Sequence, residues 1–171
     1  MSDRRTGSDS TPAAASGSNA GASASVYWDD IEVGAVFEGG AFPFELGEIK
    51  RFAGVFDPRP THLDETAAAA TFFNGLAASG AHTFAAWARL YWDLTPGWAN
   101  QAGTDISRMR LLRPVRPGDT LSLRFEVLDK KPYPLKPGFG FVDMDHHLRN
   151  QNGKTVLRMT CRIMIELRPG A

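Results

Sequence analysis

The segment Phe56–Asp64, which reads FDPRPTHLD, holds an aspartate and a histidine five positions apart. Pro58 and Pro60 each fix a backbone φ angle and remove a hydrogen-bond donor, so Asp57 and His62 are expected on a short, stiff loop. A carboxylate accepts a proton from water, and an imidazole accepts or donates one near neutral pH. Two interpretations fit: an acid/base pair facing a substrate, or a structural turn with Asp57 as its cap and His62 at the surface.

A glycine at the start of a predicted helix is the second candidate. The segment Ser79–Leu94 is apolar around almost its whole circumference, which predicts a buried helix with Ser79 as its N-cap. Backbone N–H groups in the first turn lack intrahelical partners, and a glycine lets a ligand carbonyl approach closely. Gly80 therefore fits an oxyanion hole, and it fits close packing at the helix entrance equally well.

Two arginines, Arg113 and Arg116, lie in the turn LRPVRPGD. Guanidinium groups bind phosphate well, so both are candidate phosphate contacts, as are Lys130 and Lys131. The alternative for each is a solvated charge beside a turn.

The other histidines and the single cysteine have no neighbouring residue in the sequence that indicates a metal site or a catalytic group. His146 and His147 are adjacent on a predicted strand and face opposite sides, so they are not expected to share a metal. His82 is expected to be a hydrogen-bonded core histidine within the buried helix. The single cysteine, Cys161, excludes an intrachain disulfide and suits a reducing compartment. We therefore expect a cytoplasmic protein.

Helices and strands that hold these residues follow from periodicity and turn signals. Helices are predicted over Glu48–Phe56 and Asp64–Phe73, on either side of the Asp57–His62 loop. Strands are predicted at Ala35–Glu38, Asp105–Leu112, Thr120–Lys130, Phe139–Arg149 and Thr155–Leu167. Long antiparallel strands beside one buried helix predict an α+β domain with a curved antiparallel sheet wrapped around a long central α-helix. The open edge of such a sheet favours dimerisation.

Composition limits the classes of partner. Lysine plus arginine and aspartate plus glutamate number 19 each, so no global basic field favours nucleic acid. No apolar run approaches the roughly 18 residues of a membrane helix. Residues 1–25 are rich in serine, alanine and glycine and lack the apolar core of a signal peptide, which predicts a disordered tail. The folded domain is therefore predicted over residues 26–171.

In combination these motifs resemble the MaoC-like dehydratase family, close to the (R)-specific enoyl-CoA hydratases, which share the hotdog fold. The family's loop G-D-x-N-P-L-H is matched by Asp57, Pro60 and His62, and the glycine that opens its central helix is matched by Gly80. Its PV-x-x-GD turn is present at residues 114–119, and the resemblance runs from about residue 27 to residue 167.

The resemblance implies reversible addition of water to a trans-2-enoyl thioester, giving a (R)-3-hydroxyacyl thioester, in fatty acid metabolism. Gly80 would bind the thioester carbonyl through its N–H. Asp57 is favoured as the base that activates water, with His62 giving the proton to C2, and the reverse division stays open. The family implies no metal or redox cofactor. Its substrate is carried on CoA or on an acyl carrier protein, and a homodimer or higher homo-oligomer is expected.

The loop departs from the family at Phe56, where the family has glycine, and at Arg59, where it has asparagine. Arg59 is a candidate contact for an acidic acyl group or a CoA phosphate, or a solvated charge. Further candidate substrate contacts are Phe56, Phe72, Ser79 and Arg113, and aromatic residues at helical spacing fit a plain core as well. Two other functions remain: a hotdog acyl-CoA thioesterase and a non-catalytic acyl-thioester-binding subunit.

Overall fold

The structure, a computed structural model, describes residues 24–170. Except for its last two residues, the predicted disordered tail 1–25 lies outside the described residues. Ser25 donates its backbone N–H to the carbonyl of Gly97 at 2.8 Å, so the described chain is already held to the domain before residue 26. In this part of the chain, no helix combines the length and apolar character needed to cross a membrane.

Five long strands form one antiparallel sheet. They are β1 (Val36–Pro43), β2 (Asn100–Leu111), β3 (Thr120–Pro132), β4 (Phe139–Asn150) and β5 (Thr155–Glu166). Their order across the sheet is β1-β3-β4-β5-β2, so β1 and β2 are the edges. The three central strands follow one another along the chain through tight turns, and Gly153 adopts a positive φ of 69° in the Asn-Gly turn between β4 and β5.

Within residues 24–170, a short 3-10 helix at Trp28–Asp30 precedes β1, and four α-helices pack against this sheet or lie at one end of it. They are α1 (Leu46–Phe56), α2 (Pro60–Leu63), α3 (Glu65–Ala69) and α4 (Gly80–Leu94). Alternate residues of β3 and β4 are buried, which places one face of the sheet against α4. The core consists of large buried side chains from the sheet, from α1 and α4, and from the segment between β1 and α1: Phe44, Ile49, Leu90, Leu121, Leu123, Phe125, Met144, Leu148, Met159 and Ile165.

The central helix α4 is fixed closely at both its start and its middle. Ser79 caps it, because the Ser79 hydroxyl accepts a hydrogen bond from the Ala81 N–H at 3.2 Å. Gly40 of β1 has a positive φ of 77°, and a Cβ placed there would lie 2.5 Å from Leu90 of the helix. A glycine is therefore needed where the edge strand crosses the helix.

Ion pairs cover the opposite face of the sheet. Arg162 binds both carboxylate oxygens of Asp143 at 2.6 and 2.7 Å, and Arg158 pairs with Asp145 at 2.9 Å. These pairs join neighbouring strands β4 and β5 across the ladder. The outer face is thus polar, whereas the inner face is packed.

Most predicted elements form close to their predicted positions, with four differences. Strand β1 runs to Pro43, five residues beyond the predicted end at Glu38, because it pairs with β3 as far as Thr120. Strand β2 begins at Asn100, five residues earlier than expected, because it pairs with β5 from Ile165 onward. Residues 60–63 form the short helix α2 and not an irregular loop. The helix predicted to reach Phe73 ends at Ala69, where the Thr71 hydroxyl donates to the Ala68 carbonyl at 2.7 Å and the chain turns.

Candidate active site

His62 enters the protein interior from the two-proline loop. Asp57 ends helix α1, and Pro60 occupies the first turn of α2, where its missing N–H costs no helical hydrogen bond. His62 lies in the last turn of α2 and is only 4% exposed. The structural alternative of a surface histidine is therefore wrong.

The hydrogen bonds of His62 define its tautomer. Its Nδ1 lies 2.7 Å from the carbonyl oxygen of Ala77, and a carbonyl can only accept, so the hydrogen is on Nδ1. Nε2 then carries a lone pair when the ring is neutral. It lies 3.4 Å from Oδ2 of Asp57, and no donor within residues 24–170 binds it. In the neutral ring, Nε2 is therefore a buried acceptor that no donor among the described residues binds.

Asp57 is held by donors on both oxygens. Arg59 binds Oδ1 through Nε and Oδ2 through Nη2, each at 2.7 Å. The Ser79 hydroxyl donates to Oδ2 at 2.6 Å. The Arg59 guanidinium first, and the Ser79 hydroxyl second, hold the pKa of the Asp57 carboxyl well below its usual range. Asp57 is therefore an anion near neutral pH.

The start of α4 adds backbone donors to this group. Ser79 uses one hydroxyl to connect Asp57 with the first turn of the helix, since it donates to Asp57 and accepts from Ala81. Gly80 is the first helical residue, and within residues 24–170 no acceptor binds its N–H. This N–H lies at the positive end of a 15-residue helix, which suits an oxyanion.

A cavity of about 350 Å³ joins these elements. Its wall contains the histidine, the helix-opening glycine, two arginines and a mostly apolar remainder: Arg59, His62, Phe72, Phe73, Ala77, Ala78, Gly80, Thr83, Leu111, Leu112, Arg113, Pro114 and Val115. No acidic side chain is part of this wall. An apolar chain with a polar end next to His62 fits such a cavity.

The predicted site residues take different places relative to the cavity. Arg59, His62, Phe72, Gly80 and Arg113 line it. Asp57 and Ser79 are not part of this wall: Ser79 precedes Gly80 and donates to Asp57, and Asp57 lies 3.4 Å from His62 Nε2. Phe56 does not line the cavity: it is 69% exposed and packs against Phe52, with ring centroids 4.8 Å apart. Its role as a substrate contact stays a prediction without support from this geometry.

The sequence profile of the MaoC like domain matches residues 35–140, which contain this whole arrangement. This chain belongs to the MaoC-like dehydratase family. The MaoC-like chain is 36% identical to a MaoC-like dehydratase from Rhodospirillum rubrum, with a TM-score of 0.79 over 84% of this chain and 99% of that one. The hotdog fold predicted from the sequence is confirmed.

Two further relatives extend the comparison. The R-hydratase PhaJ1 from Pseudomonas aeruginosa, in its unliganded form, is 29% identical, with a TM-score of 0.66 over 84% of this chain and 87% of that chain. The uncharacterized protein YdeM from Bacillus subtilis (strain 168) is 38% identical over 107 residues, which are 61% of this chain and 74% of that protein. The solved relatives thus include proteins described as a dehydratase and as a hydratase.

The structure also assigns a role to Arg116 that the sequence left open. Its guanidinium donates to the carbonyls of Gly75 at 2.7 Å and Leu76 at 3.0 Å, and also to that of Phe73. These carbonyls belong to the loop just before Ala77, which orients His62. Arg116 is therefore a clamp on the cavity wall and not a solvated charge, a contact across some 40 residues that no local signal reveals.

The other histidines pack away from the pair. His82 is buried and stacks on Phe52 with ring centroids 4.4 Å apart, its Nδ1 without a partner among the described residues, so the expected hydrogen bond there is absent. His146 and His147 face opposite sides of β4, as predicted. Among residues 24–170, no three His, Cys, Asp or Glu side chains form a metal-sized cluster, and the expectation of a metal-free reaction stays a prediction.

Proposed function

We propose that this protein catalyses the reversible addition of water to a trans-2-enoyl thioester, giving a (R)-3-hydroxyacyl thioester. The observation that carries the proposal is His62 Nε2, which no donor among the described residues binds and which lies 3.4 Å from the Asp57 carboxylate; His62 and Gly80 line the same cavity. In the proposed complex, one water molecule donates its O–H groups to His62 Nε2 and to Asp57, once the cavity wall moves to admit water to the buried Nε2. The oxygen lone pairs of that water then point away from the pair, toward a substrate.

The helix start supplies the complementary group. Water attack at C3 moves electron density onto the thioester oxygen, which becomes an enolate oxygen. The Gly80 N–H donates to this oxygen, and the α4 dipole adds to the stabilisation. A donor of this kind typically contributes about 2.7–4 kcal/mol to the barrier reduction. The acyl chain lies against the apolar wall formed by Phe72, Leu111 and Val115.

The similarity to R-hydratase PhaJ1 supports the direction and stereochemistry of the proposal. We propose CoA or an acyl carrier protein as the carrier of the thioester, and no metal or redox cofactor. The wall of the cavity offers mostly apolar surface for an acyl chain, with Arg59, His62 and Arg113 as its charged or titratable groups.

A homodimer is proposed as the working form. Strand β2 pairs with β5 on one side, and within residues 24–170 no strand pairs with its other edge. Ile106, Met109 and Leu111 of this strand are exposed, which combines an open hydrogen-bonding edge with apolar side chains. A second copy would cover both features, and Leu111 also lines the cavity, so the interface would adjoin the site.

A substrate panel tests the activity. Purified protein is mixed with trans-2-enoyl-CoA thioesters of increasing chain length, and loss of the enoyl absorbance, release of free thiol and the configuration of the product are measured. The proposal predicts loss of absorbance without thiol release and a (R)-3-hydroxy product. Thiol release with unchanged absorbance would indicate a thioesterase. Binding without either change would indicate a non-catalytic subunit.

A further inference from the structure

Asp57 and His62 differ in how many hydrogen bonds they receive. Both oxygens of Asp57 receive donors from Arg59, and Oδ2 receives a further one from Ser79. A proton on this carboxylate would displace one of these short, charge-assisted contacts. His62 Nε2, in contrast, has a lone pair and no donor among the described residues.

Arg59 is built into the loop in a way that maintains its contact. It lies between Pro58 and Pro60, two residues after Asp57, so the backbone between the two charges has little freedom. Both contacts are made at 2.7 Å in the bidentate geometry that only a guanidinium provides. The Arg59 side chain is 68% exposed, whereas the Asp57 side chain that it binds is only 19% exposed.

We propose that Arg59 is a positioning residue that holds the Asp57 carboxylate as a fixed anion and thereby leaves the proton transfer to His62. The assignment rests on the proposed hydration reaction. It differs from the division of work favoured from the sequence, in which Asp57 takes the proton of water and His62 supplies another, and from the reverse division, in which Asp57 supplies the proton to C2.

In the resulting step, His62 alone accepts the proton of water and returns it to the substrate. The water oxygen bonds to C3 while its proton passes to His62 Nε2, and the C2–C3 π electrons move toward the thioester carbonyl to give the enolate. The imidazolium then returns the proton from Nε2 to C2, which restores neutral His62 and the thioester carbonyl. Asp57 stays ionised throughout and stabilises the imidazolium from 3.4 Å, while the Ala77 carbonyl keeps hold of Nδ1–H.

A titration of the Asp57 carboxyl carbon by NMR tests the clamp without needing turnover. Spectra of the wild-type protein and of Arg59→Gln are compared as the pH is lowered, with Asp57→Asn identifying the signal. We expect the Asp57 signal to titrate at a pH higher by at least about one unit in Arg59→Gln. Arg51→Gln, which removes another exposed arginine that pairs with a nearby carboxylate, is the matched control and is expected to leave the signal unchanged.

The kinetic test separates positioning from substrate binding. For hydration of an enoyl-CoA, Arg59→Gln is expected to lower kcat at least tenfold, with KM changed less than about threefold. It is also expected to shift or steepen the acidic limb of the plot of kcat against pH. Arg59→Lys, which keeps the charge but loses the bidentate contact, is expected to recover part of kcat.

Each contrary result has a distinct meaning. A rise in KM at constant kcat in Arg59→Gln would show that Arg59 binds the substrate and would overturn the proposal. If the Asp57 titration is unchanged by the substitution, or if Arg59→Gln shows wild-type kinetics, the Arg59–Asp57 contact is only a surface ion pair and the proposal is wrong. Absence of turnover in the wild-type protein would overturn the proposed hydration, while the NMR titration would still decide the role of Arg59.

Discussion

Acid should destabilise the folded protein through His146, which is fully buried on the inner face of β4. Trp87 donates its indole N–H to His146 Nδ1 at 3.1 Å, which fixes the ring as the neutral tautomer with its hydrogen on Nε2. Protonation would place a second donor against the Trp87 N–H in an apolar environment. Burial accordingly lowers the pKa of His146 from 6.5 to about 3.

The size of the effect follows from this difference. A lowered folded-state pKa means that the unfolded chain binds the proton first, so stability is complete above pH 6.5 and falls as the pH decreases toward about 3. One unit corresponds to about 1.4 kcal/mol, so the loss at about pH 5 is on the order of 2 kcal/mol. His82, whose pKa burial also lowers, adds to the same trend and makes a variant comparison necessary.

Urea unfolding near pH 7.5 and near pH 5 measures this loss. His146→Gln keeps an acceptor for Trp87 but does not titrate, so its free energy of unfolding should fall by about 2 kcal/mol less than that of the wild-type protein. His147→Gln, on the opposite face of the strand, is the matched control and should keep the wild-type loss. Equal losses in His146→Gln and the wild-type protein would refute the reasoning.

Three further predictions concern the site and its supports. Gly80→Ala should change thermal stability little, because the new Cβ would meet only the flexible end of the Leu111 side chain, at 2.6 Å. It should nevertheless lower the rate of hydration at least tenfold, because the methyl group and the displaced Leu111 narrow the cavity. Unchanged kinetics would show that Gly80 is not part of the site. Arg116→Met should lower stability by about 2–3 kcal/mol in urea unfolding, because the carbonyls of residues 73–76 lose a charged donor, and a loss below about 0.5 kcal/mol would contradict the clamp. Light scattering after size exclusion should give twice the chain mass, and Ile106→Lys should give the monomer mass; a monomeric wild-type protein would refute the dimer.

The proximity of Asp57 to His62 and the position of Gly80 at the start of a helix could be predicted because they are local features in a fixed order. Asp57 and His62 are joined by a loop whose two prolines limit its conformation, and Gly80 follows a capping serine at the start of an apolar helix. The strands were predictable for the same reason, since alternation and turn residues are read within a few positions. The early start of β2 was not, because its first residues pair with β5 through tertiary contacts alone.

The contacts that tune the site could not be read from the sequence. Whether Arg59 turns outward or back onto Asp57 depends on side-chain rotamers and on the exact loop conformation. The contact of Arg116 with residues 73–76 depends on how two distant segments meet. Phe56 follows the apolar spacing of α1, but the helix ends there and its ring projects beyond the core. Periodicity thus indicates which residues share a face, and not which of them reach a cavity.

The most direct test of the central claim is the rate of water addition to a trans-2-enoyl-CoA by the wild-type protein and by Asp57→Asn and His62→Gln. The account predicts measurable hydration by the wild-type protein and a loss of about 10²–10⁴-fold in each variant, with circular dichroism and unfolding midpoints showing that the fold is retained. Hydration that persists at the wild-type rate in folded His62→Gln would contradict it.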